Sequence, residues 1–160
     1  MRIALLSVVF LAALVAGGCA RSQFDTDTPS NFVQADGLKV EMQLPGRYFK
    51  TGDDLRVAVT ATNMTGKPIS IHSPTGAPVV VRVFRHTMLT REQVRVYPAS
   101  ATSNILSWAL PAKESRTFGL IVPIEPDWPI GEVLHVSAEL NGYGKLAPAV
   151  AVVISEPKKK

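Results

Sequence analysis

The sequence predicts an all-β protein, a sandwich of antiparallel strands. Apolar and polar residues alternate with a period of two in several short runs, which is the pattern of half-buried strands. Clusters of turn-forming residues separate these runs, and most of the 12 prolines fall in the clusters, where they break no ladder hydrogen bond. The only plausible helical segment, residues 87–93, is explained equally well by a short turn.

The strands can be followed in order along the chain. The first clear run places Leu38, Val40 and Met42 on one face and Lys39 and Glu41 on the other. Later runs repeat this alternation after each turn. About seven or eight short strands at such spacing favour an immunoglobulin-like β-sandwich. The predicted strands are residues 38–44, 55–62, 69–71, 79–84, 118–122, 133–140 and 150–154.

The only cysteine, Cys19, ends an N-terminal segment in which Arg2 precedes an apolar run at residues 3–16. A basic start, an apolar run and small residues are typical of a secretory signal. The run is shorter than the roughly 20 apolar residues that a membrane-spanning helix needs. The segment resembles a bacterial lipoprotein signal, which implies that Cys19 is lipidated and becomes the first mature residue. An ordinary cleaved signal peptide and an uncleaved anchor helix remain alternatives.

The same resemblance predicts a bacterial envelope protein held to a membrane by lipid. Ala20 stands where an aspartate often signals inner-membrane retention, so we expect the outer membrane, facing the periplasm. The predicted organisation is a signal peptide at residues 1–18, a lipidated cysteine with a flexible tether at 19–33, the sandwich at 34–155 and a basic tail at 156–160.

Composition restricts the function of the folded part. Removing 18 of the 160 residues leaves 142, enough for one domain with a core but without any thiol for a disulfide once Cys19 carries lipid. The net charge is +4, and Arg2 and the three lysines at 158–160 account for all of it. The body is therefore nearly neutral, which argues against a nucleic-acid surface.

No catalytic motif accompanies the three histidines, His72, His86 and His135. The chain has no Gly-x-Ser-x-Gly elbow and no cysteine nucleophile. Its adjacent carboxylates, such as Asp53 and Asp54, are ordinary turn residues. We therefore expect no enzyme activity and no cofactor.

Copper binding is the alternative function that the sequence suggests. Soft thioether and imidazole ligands suit Cu(I), and the His86-Thr87-Met88 step resembles part of the periplasmic copper chaperone family. Met64 and His72 lie upstream as further candidate ligands. The simpler interpretation puts Met88 in the core and His86 on a rim.

A second resemblance concerns three segments of the predicted sandwich. These are VTATNMTGKPI at residues 59–69, LSWALPAKESRTF at 106–118 and WPIGEVLHVSAEL at 128–140. They resemble the family of the bacterial intracellular proteinase inhibitor BsuPI over residues 38–155. The resemblance implies a small immunoglobulin-like module, while protease inhibition does not follow from the fold. Asn63, in the first segment, is interpreted as a turn residue.

The two tryptophans are candidates for different roles. Trp108 lies in an apolar stretch and is predicted to fill the centre of the sandwich. Trp128, in a proline-rich loop, is predicted to plug one end, with an exposed binding anchor as the alternative. We expect a non-catalytic module that binds a protein partner through loops or a strand edge. The candidate contact residues are Trp128, Asp127 and Ile130 in one loop and Thr75 and Pro78 in another.

Overall fold

The computed structural model describes residues 28–87, 89–100 and 103–156. Cys19, Met88 and the basic tail beyond Glu156 lie outside the described residues. Within these ranges the chain forms only strands and turns, and no helix there is suited to crossing a membrane. The strands are β1 (Ser30–Ala35), β2 (Leu38–Gln43), β3 (Tyr48–Lys50), β4 (Asp54–Asn63), β5 (Ile69–Ser73), β6 (Val79–His86), β7 (Arg91–Tyr97), β8 (Leu106–Leu110), β9 (Ser115–Pro123), β10 (Val133–Leu140) and β11 (Ala149–Ser155).

The strands form two main sheets and one smaller pair. Sheet 1 has the order β1-β2-β4-β9 and is antiparallel throughout. Sheet 2 has the order β3-β11-β10-β6-β7, in which only β3 and β11 run parallel. Strands β5 and β8 pair separately. The apolar faces of both sheets contribute to one core, with residues such as Val40, Val59, Val81, Val136 and Val152 fully or almost fully buried.

The all-β prediction is confirmed, with eleven strands where about seven or eight were expected. Alternation identified the strands that contribute an apolar face to the core. It missed β1, β3 and β7, which lie at the edges of the two main sheets, and β8, which pairs only with β5, because all four bury few apolar side chains. Thr87 and residues 89–90 belong to a turn that precedes β7, and β1 begins at Ser30, within the range assigned to the tether.

The strands of the two sheets end together, at what we call the near end and the far end. At the near end, the backbone N–H of Thr51 donates to the carbonyl of Ser155, and the N–H of Gly131 donates to that of Ile154. Thr28 lies here as well, in a surface cleft that it shares with Tyr48. The near end comprises residues 28–29, 44–53, 86–87, 89–91, 124–133 and 155–156, and the far end comprises the turns at 36–37, 64–68, 74–78, 111–114 and 141–148.

Candidate functional site

Trp128 fills the core at the near end and cannot contact a partner. Its side chain is only 2% exposed, and Ile124, at the start of the same loop, is equally buried. The loop is fixed by a hydrogen bond from the Ile124 N–H to the Asp53 carbonyl. The prediction that Trp128 plugs this end is therefore confirmed. The choice of Trp128 as a contact residue is wrong, because a large apolar ring gains more from burial than from exposure.

The two other candidates in this loop are accessible. The Asp127 carboxylate accepts a hydrogen bond from the guanidinium of Arg95, and Glu125 approaches the same guanidinium to 3.5 Å. The hydrogen bond to Asp127 is the main reason that the pKa of Arg95 is raised. Ile130 is 43% exposed at the edge of the near end. Asp127 thus holds a surface ion pair, while Ile130 is open to contact.

The second candidate loop lies at the far end, where Thr75 has a structural role. The amide nitrogen of Asn141 donates to Thr75 Oγ1 at 2.6 Å and to the Ala77 carbonyl at 2.9 Å. The Asn141 backbone N–H donates to the carbonyl of Pro78. Thr75 is therefore engaged within the turn, and Pro78 has its ring available as part of a groove.

An apolar groove of about 720 Å³ separates strand β9 from the end of β7. It runs along one side of the sandwich, where sheet 1 ends in β9 and sheet 2 ends in β7. Its volume falls within the range of small-molecule and peptide sites. The side chains that define it are Pro78, Tyr97, Pro98, Phe118, Leu120 and Ile121.

The hydrogen-bonding direction of β9 follows from the bonds at its two ends. Asn63 N–H donates to the Glu114 carbonyl at 2.9 Å, and Ile124 N–H donates to the Asp53 carbonyl at 3.0 Å. In an antiparallel pair, hydrogen-bonded positions alternate with positions whose backbone points away from the partner strand. Both pairs continue the β4–β9 register, and in both the residue on the β9 side, Glu114 or Ile124, has an even number. Even-numbered residues of β9 therefore bond to β4, and odd-numbered residues do not.

The backbone groups of Thr117, Gly119 and Ile121 consequently point away from β4. We call them the β9 edge. Among the described residues, no strand pairs with β9 on this side. Alternation predicts a strand here but not its free side, since pairing between distant strands cannot be deduced from alternation.

Trp108 is half-buried and does not fill the centre of the sandwich, which corrects the prediction. It lies on β8 with its ring edge-to-face against Phe118 at 5.4 Å, and the Arg116 guanidinium lies 5.0 Å from it. Because β8 pairs with β5 outside the two main sheets, its apolar stretch packs against the border of the core.

The proposed copper ligands do not come together. His72 bonds to Ser107 at 3.0 Å and has its carbonyl close to Gly142, at the far end. Met64 lies at the far end as well, where its carbonyl accepts from Lys113. His86 ends β6 at the near end, and the eight residues of β6 extend over about 23 Å. Met88 lies outside the described residues.

The structure instead brings His86 next to His135, a pair that the sequence analysis missed. Their rings lie on the outer face of sheet 2, with centroids 4.3 Å apart. The pKa of His135 is lowered, mainly by burial and then by repulsion from His86 and Arg91. Within residues 28–87, 89–100 and 103–156, no group of three or more histidine, aspartate or glutamate side chains could hold a metal ion.

Comparisons with known proteins find solved structures of similar fold but no family to which the chain can be assigned. No family model matches the sequence, and no curated protein matches it significantly. The chain is similar to Spo0M, a sporulation control protein from Bacillus subtilis, with a TM-score of 0.50 and 10% identity over 76% of this chain and 50% of Spo0M. It therefore spans about half the length of Spo0M.

A β-glucosidase from Listeria innocua, in complex with gluconolactone, is also similar in part. The TM-score is 0.45, with 14% identity over 80% of this chain and 16% of the β-glucosidase. A β-glucosidase from Erythrobacter marinus gives a TM-score of 0.41 and 12% identity over 79% of this chain and 15% of that enzyme. The similarity to Spo0M supports a β-rich fold alone, and the two β-glucosidases carry no argument about function.

Proposed function

We propose that this chain is a lipid-anchored bacterial envelope protein whose sandwich binds an extended segment of a protein partner. The anchor is Cys19, from the lipoprotein-like signal. The binding mode is strand addition, in which the partner segment pairs with the β9 edge and places alternate side chains in the adjacent groove. The observation that carries the proposal is the free edge of β9 beside this apolar groove.

The central part of β9, between Arg116 and Pro123, lacks the features that usually protect a sheet edge from pairing. Natural edges are blocked by charged side chains, prolines or bulges. From Thr117 to Val122, β9 contains no charge and no proline, and its pairing with β4 is continuous. Gly119 lies at its centre, where an added Cβ would meet nothing within 4 Å. The space beside Gly119 is therefore open, and the outward backbone groups of β9 are paired with no strand among the described residues.

The sequence resemblances support a narrower form of the proposal. The order of sheet 2, with β11 pairing parallel to the short strand β3, is compatible with an immunoglobulin-like sandwich. The resemblance to the BsuPI family suggests a protease as the partner, with an extended segment of the protease paired to β9. This narrower form rests on the resemblance, whereas strand addition rests on the geometry of β9.

The test is to remove one edge donor without disturbing the sheet. Gly119→Pro deletes an N–H that points away from β4, so the β4–β9 ladder keeps its bonds. Gly119→Ala keeps the N–H and fits the open space, which makes it the matched control. A photo-crosslinking residue at Ile121, which is exposed, would report a neighbouring chain in intact cells.

We expect one reproducible crosslinked adduct in the parent and in Gly119→Ala, and loss of most of it in Gly119→Pro. An adduct of equal yield in the proline variant would contradict strand addition at this edge. Thermal unfolding of each variant shows whether the domain is folded. If Gly119→Pro fails to fold, Thr117→Pro removes the neighbouring outward donor and gives the same comparison.

Copper carriage is the second proposal, and the contact between His86 and His135 favours it. Two imidazoles on one sheet face can ligate a soft ion together, whereas Met64 and His72 are too distant to contribute. Titration with Cu(I) against a competing chelator tests this function. Binding that is lost in His135→Gln supports it, and binding that is unchanged in that variant contradicts this site.

A further inference from the structure

Exposed apolar side chains concentrate at the near end of the sandwich. Four of the eight large hydrophobic residues that are exposed among the described residues lie there. Isolated exposed apolar residues are normal, but a group of them at one end indicates a contact surface. The four are Tyr48, Leu89, Ile130 and Val133, which are 83%, 94%, 43% and 52% exposed.

Two of these residues belong to a row that crosses all five strands of sheet 2. His86 pairs with Arg91, and Val153 pairs with both Val133 and Tyr48. Because Leu134 pairs with Arg85, Val133 lies opposite His86. The row lies on the outer face, so it presents an aromatic, two valines, a histidine and an arginine to the surroundings.

Leu89 extends beyond this row on the turn between β6 and β7, which is fixed by two threonines. The Thr87 N–H donates to the Thr90 carbonyl at 2.9 Å, and the Thr90 N–H donates to Thr87 Oγ1 at 3.0 Å. The hydroxyl groups of the two threonines bond to each other at 2.8 Å. The turn therefore holds Leu89 outwards in a defined position, which lowers the entropy cost of inserting it into another phase.

The chain meets the sandwich at this same end. Thr28 shares a cleft with Arg47 and Tyr48. Thr28 is nine residues after Cys19, and nine residues span at most about 30 Å. The last strand also ends here, and the sequence continues beyond Glu156 with three lysines at 158–160. A lipid on Cys19 would therefore keep the near end within about 30 Å of the bilayer.

Positive and negative charges at the near end nearly balance. Apolar contact would therefore contribute more than charge to the binding of this end to another surface. Arg85 is shared by Glu92 and Glu132, and Arg95 is shared by Glu125 and Asp127. Other charged residues in or beside the near-end segments are Arg47, Lys50, Asp53, Asp54, Arg56, Arg91 and Glu156, with the three lysines at 158–160 following in the sequence.

We infer that the near end is a membrane-contact surface that lies on the phospholipid bilayer to which Cys19 anchors the chain. Leu89 and Ile130 enter the headgroup region, and Tyr48 lies at the interface, where its amphipathic ring is favoured. The groove beside β9 runs along the side of the sandwich and stays open to a protein partner. This inference rests on the proposed lipid anchor.

The test uses spin labels in the lipidated full chain, reconstituted into vesicles of phosphatidylethanolamine and phosphatidylglycerol. Once Cys19 is acylated, an introduced cysteine is the only free thiol. Leu89→Cys places the label at the near end, and Met64→Cys places the matched control on an exposed residue of the far end. Ile130→Cys repeats the measurement at a second near-end position in case the first label disturbs the turn.

We expect the near-end labels to become several-fold less accessible to a water-soluble nickel relaxant, and more accessible to oxygen, than the Met64→Cys label. Equal accessibility to the nickel complex at both ends would overturn the inference. The intact mass of the same preparation separates the two proposals. A lipidated chain with equal accessibilities refutes only the membrane contact, and a chain without lipid refutes the anchor and the inference together.

Discussion

The two ends of the sandwich are closed by different chemistry. At the far end, Asn63 is fully buried, and its amide nitrogen donates to the carbonyls of Lys67, Leu110 and Pro111 at 2.8 to 3.0 Å. Its side-chain oxygen accepts from the backbone N–H of Thr65 at 2.8 Å. The far end is thus held together by the hydrogen bonds of a buried amide.

At the near end, the buried closing residue is an indole, and further apolar side chains remain outside it. Trp128 fills the interior, while Leu89 and Tyr48 project into the surroundings. Glu92 and Asp127 pair there with Arg85 and Arg95 on the surface. The far-end turns expose one large apolar side chain, Met64, and the near end exposes four, so closing an end of the sandwich does not account for the near-end group.

Removing the Trp128 side chain, the plug of the near end, should have the largest effect on stability. Trp128→Ala empties a core position that is 2% exposed, and we expect the free energy of unfolding to fall by about 4 kcal/mol. The matched control is Trp108→Ala, for which we expect about half of that loss, because its ring is half-buried at the border of the core. Urea denaturation of both variants gives the comparison. Equal losses would mean that Trp128 is not the principal plug.

Removing the buried amide of Asn63 at the far end should have the next largest effect on stability. Asn63→Ala leaves buried carbonyls without a donor, and we expect the free energy of unfolding to fall by about 3 kcal/mol. Asn31→Ala is the control, since Asn31 is exposed, and its side chain donates to the Ala149 carbonyl at 2.9 Å and accepts from the backbone N–H of Phe32 at 2.8 Å. Its loss should stay below about 1 kcal/mol. A small effect of Asn63→Ala would show that the far end does not depend on this network.

Acid should weaken the fold through His135 on sheet 2. Because the pKa of His135 is lowered in the folded state, the unfolded chain takes up the proton first, and stability falls as the pH drops through about 6.5. We expect the wild-type Tm to decrease over this range and His135→Gln to decrease less. Ser137→Ala, on the same face of β10, should behave as the wild type. An identical decrease in His135→Gln would exclude this residue as a source of the pH dependence.

Breaking the surface ion pair between Arg95 and Asp127 at the near end should have the smallest effect on stability. Asp127→Asn removes one of the two carboxylates around Arg95, and Glu125 remains 3.5 Å away. We expect the free energy of unfolding to change by less than about 0.5 kcal/mol, because exposed pairs contribute little. Thermal unfolding at low and high salt is the measurement. A loss comparable to that of Asn63→Ala would indicate that charge closes the near end.

Local patterns predicted the parts of this fold that depend on burial along one strand. Alternation placed β2, β4, β6 and β10, since each contributes a regular apolar face to the core. Trp128 could be predicted as a plug because its loop neighbours Ile124 and Ile130 are apolar. The prediction for Trp108 was wrong, because its apolar neighbours are compatible with a strand at the centre of the sandwich as well as with one at the border of the core.

Features that depend on pairing between distant strands could not be predicted. His86 meets His135 only because β6 pairs with β10 in one particular register. The β9 edge is free because β8, the preceding strand in the sequence, pairs with β5 and not with β9. Both relations join segments far apart in the chain, and a shift of one residue would reverse which side chains face outwards.

The intact mass of the protein extracted from its native membrane, beside a Cys19→Ala variant, tests the lipid anchor most directly. We predict a mature chain that starts at Cys19 and carries glyceryl and acyl groups, with the variant released or unprocessed. An unmodified Cys19, or a chain that keeps residues 1–18, would contradict the anchor and with it the orientation of the near end towards the membrane.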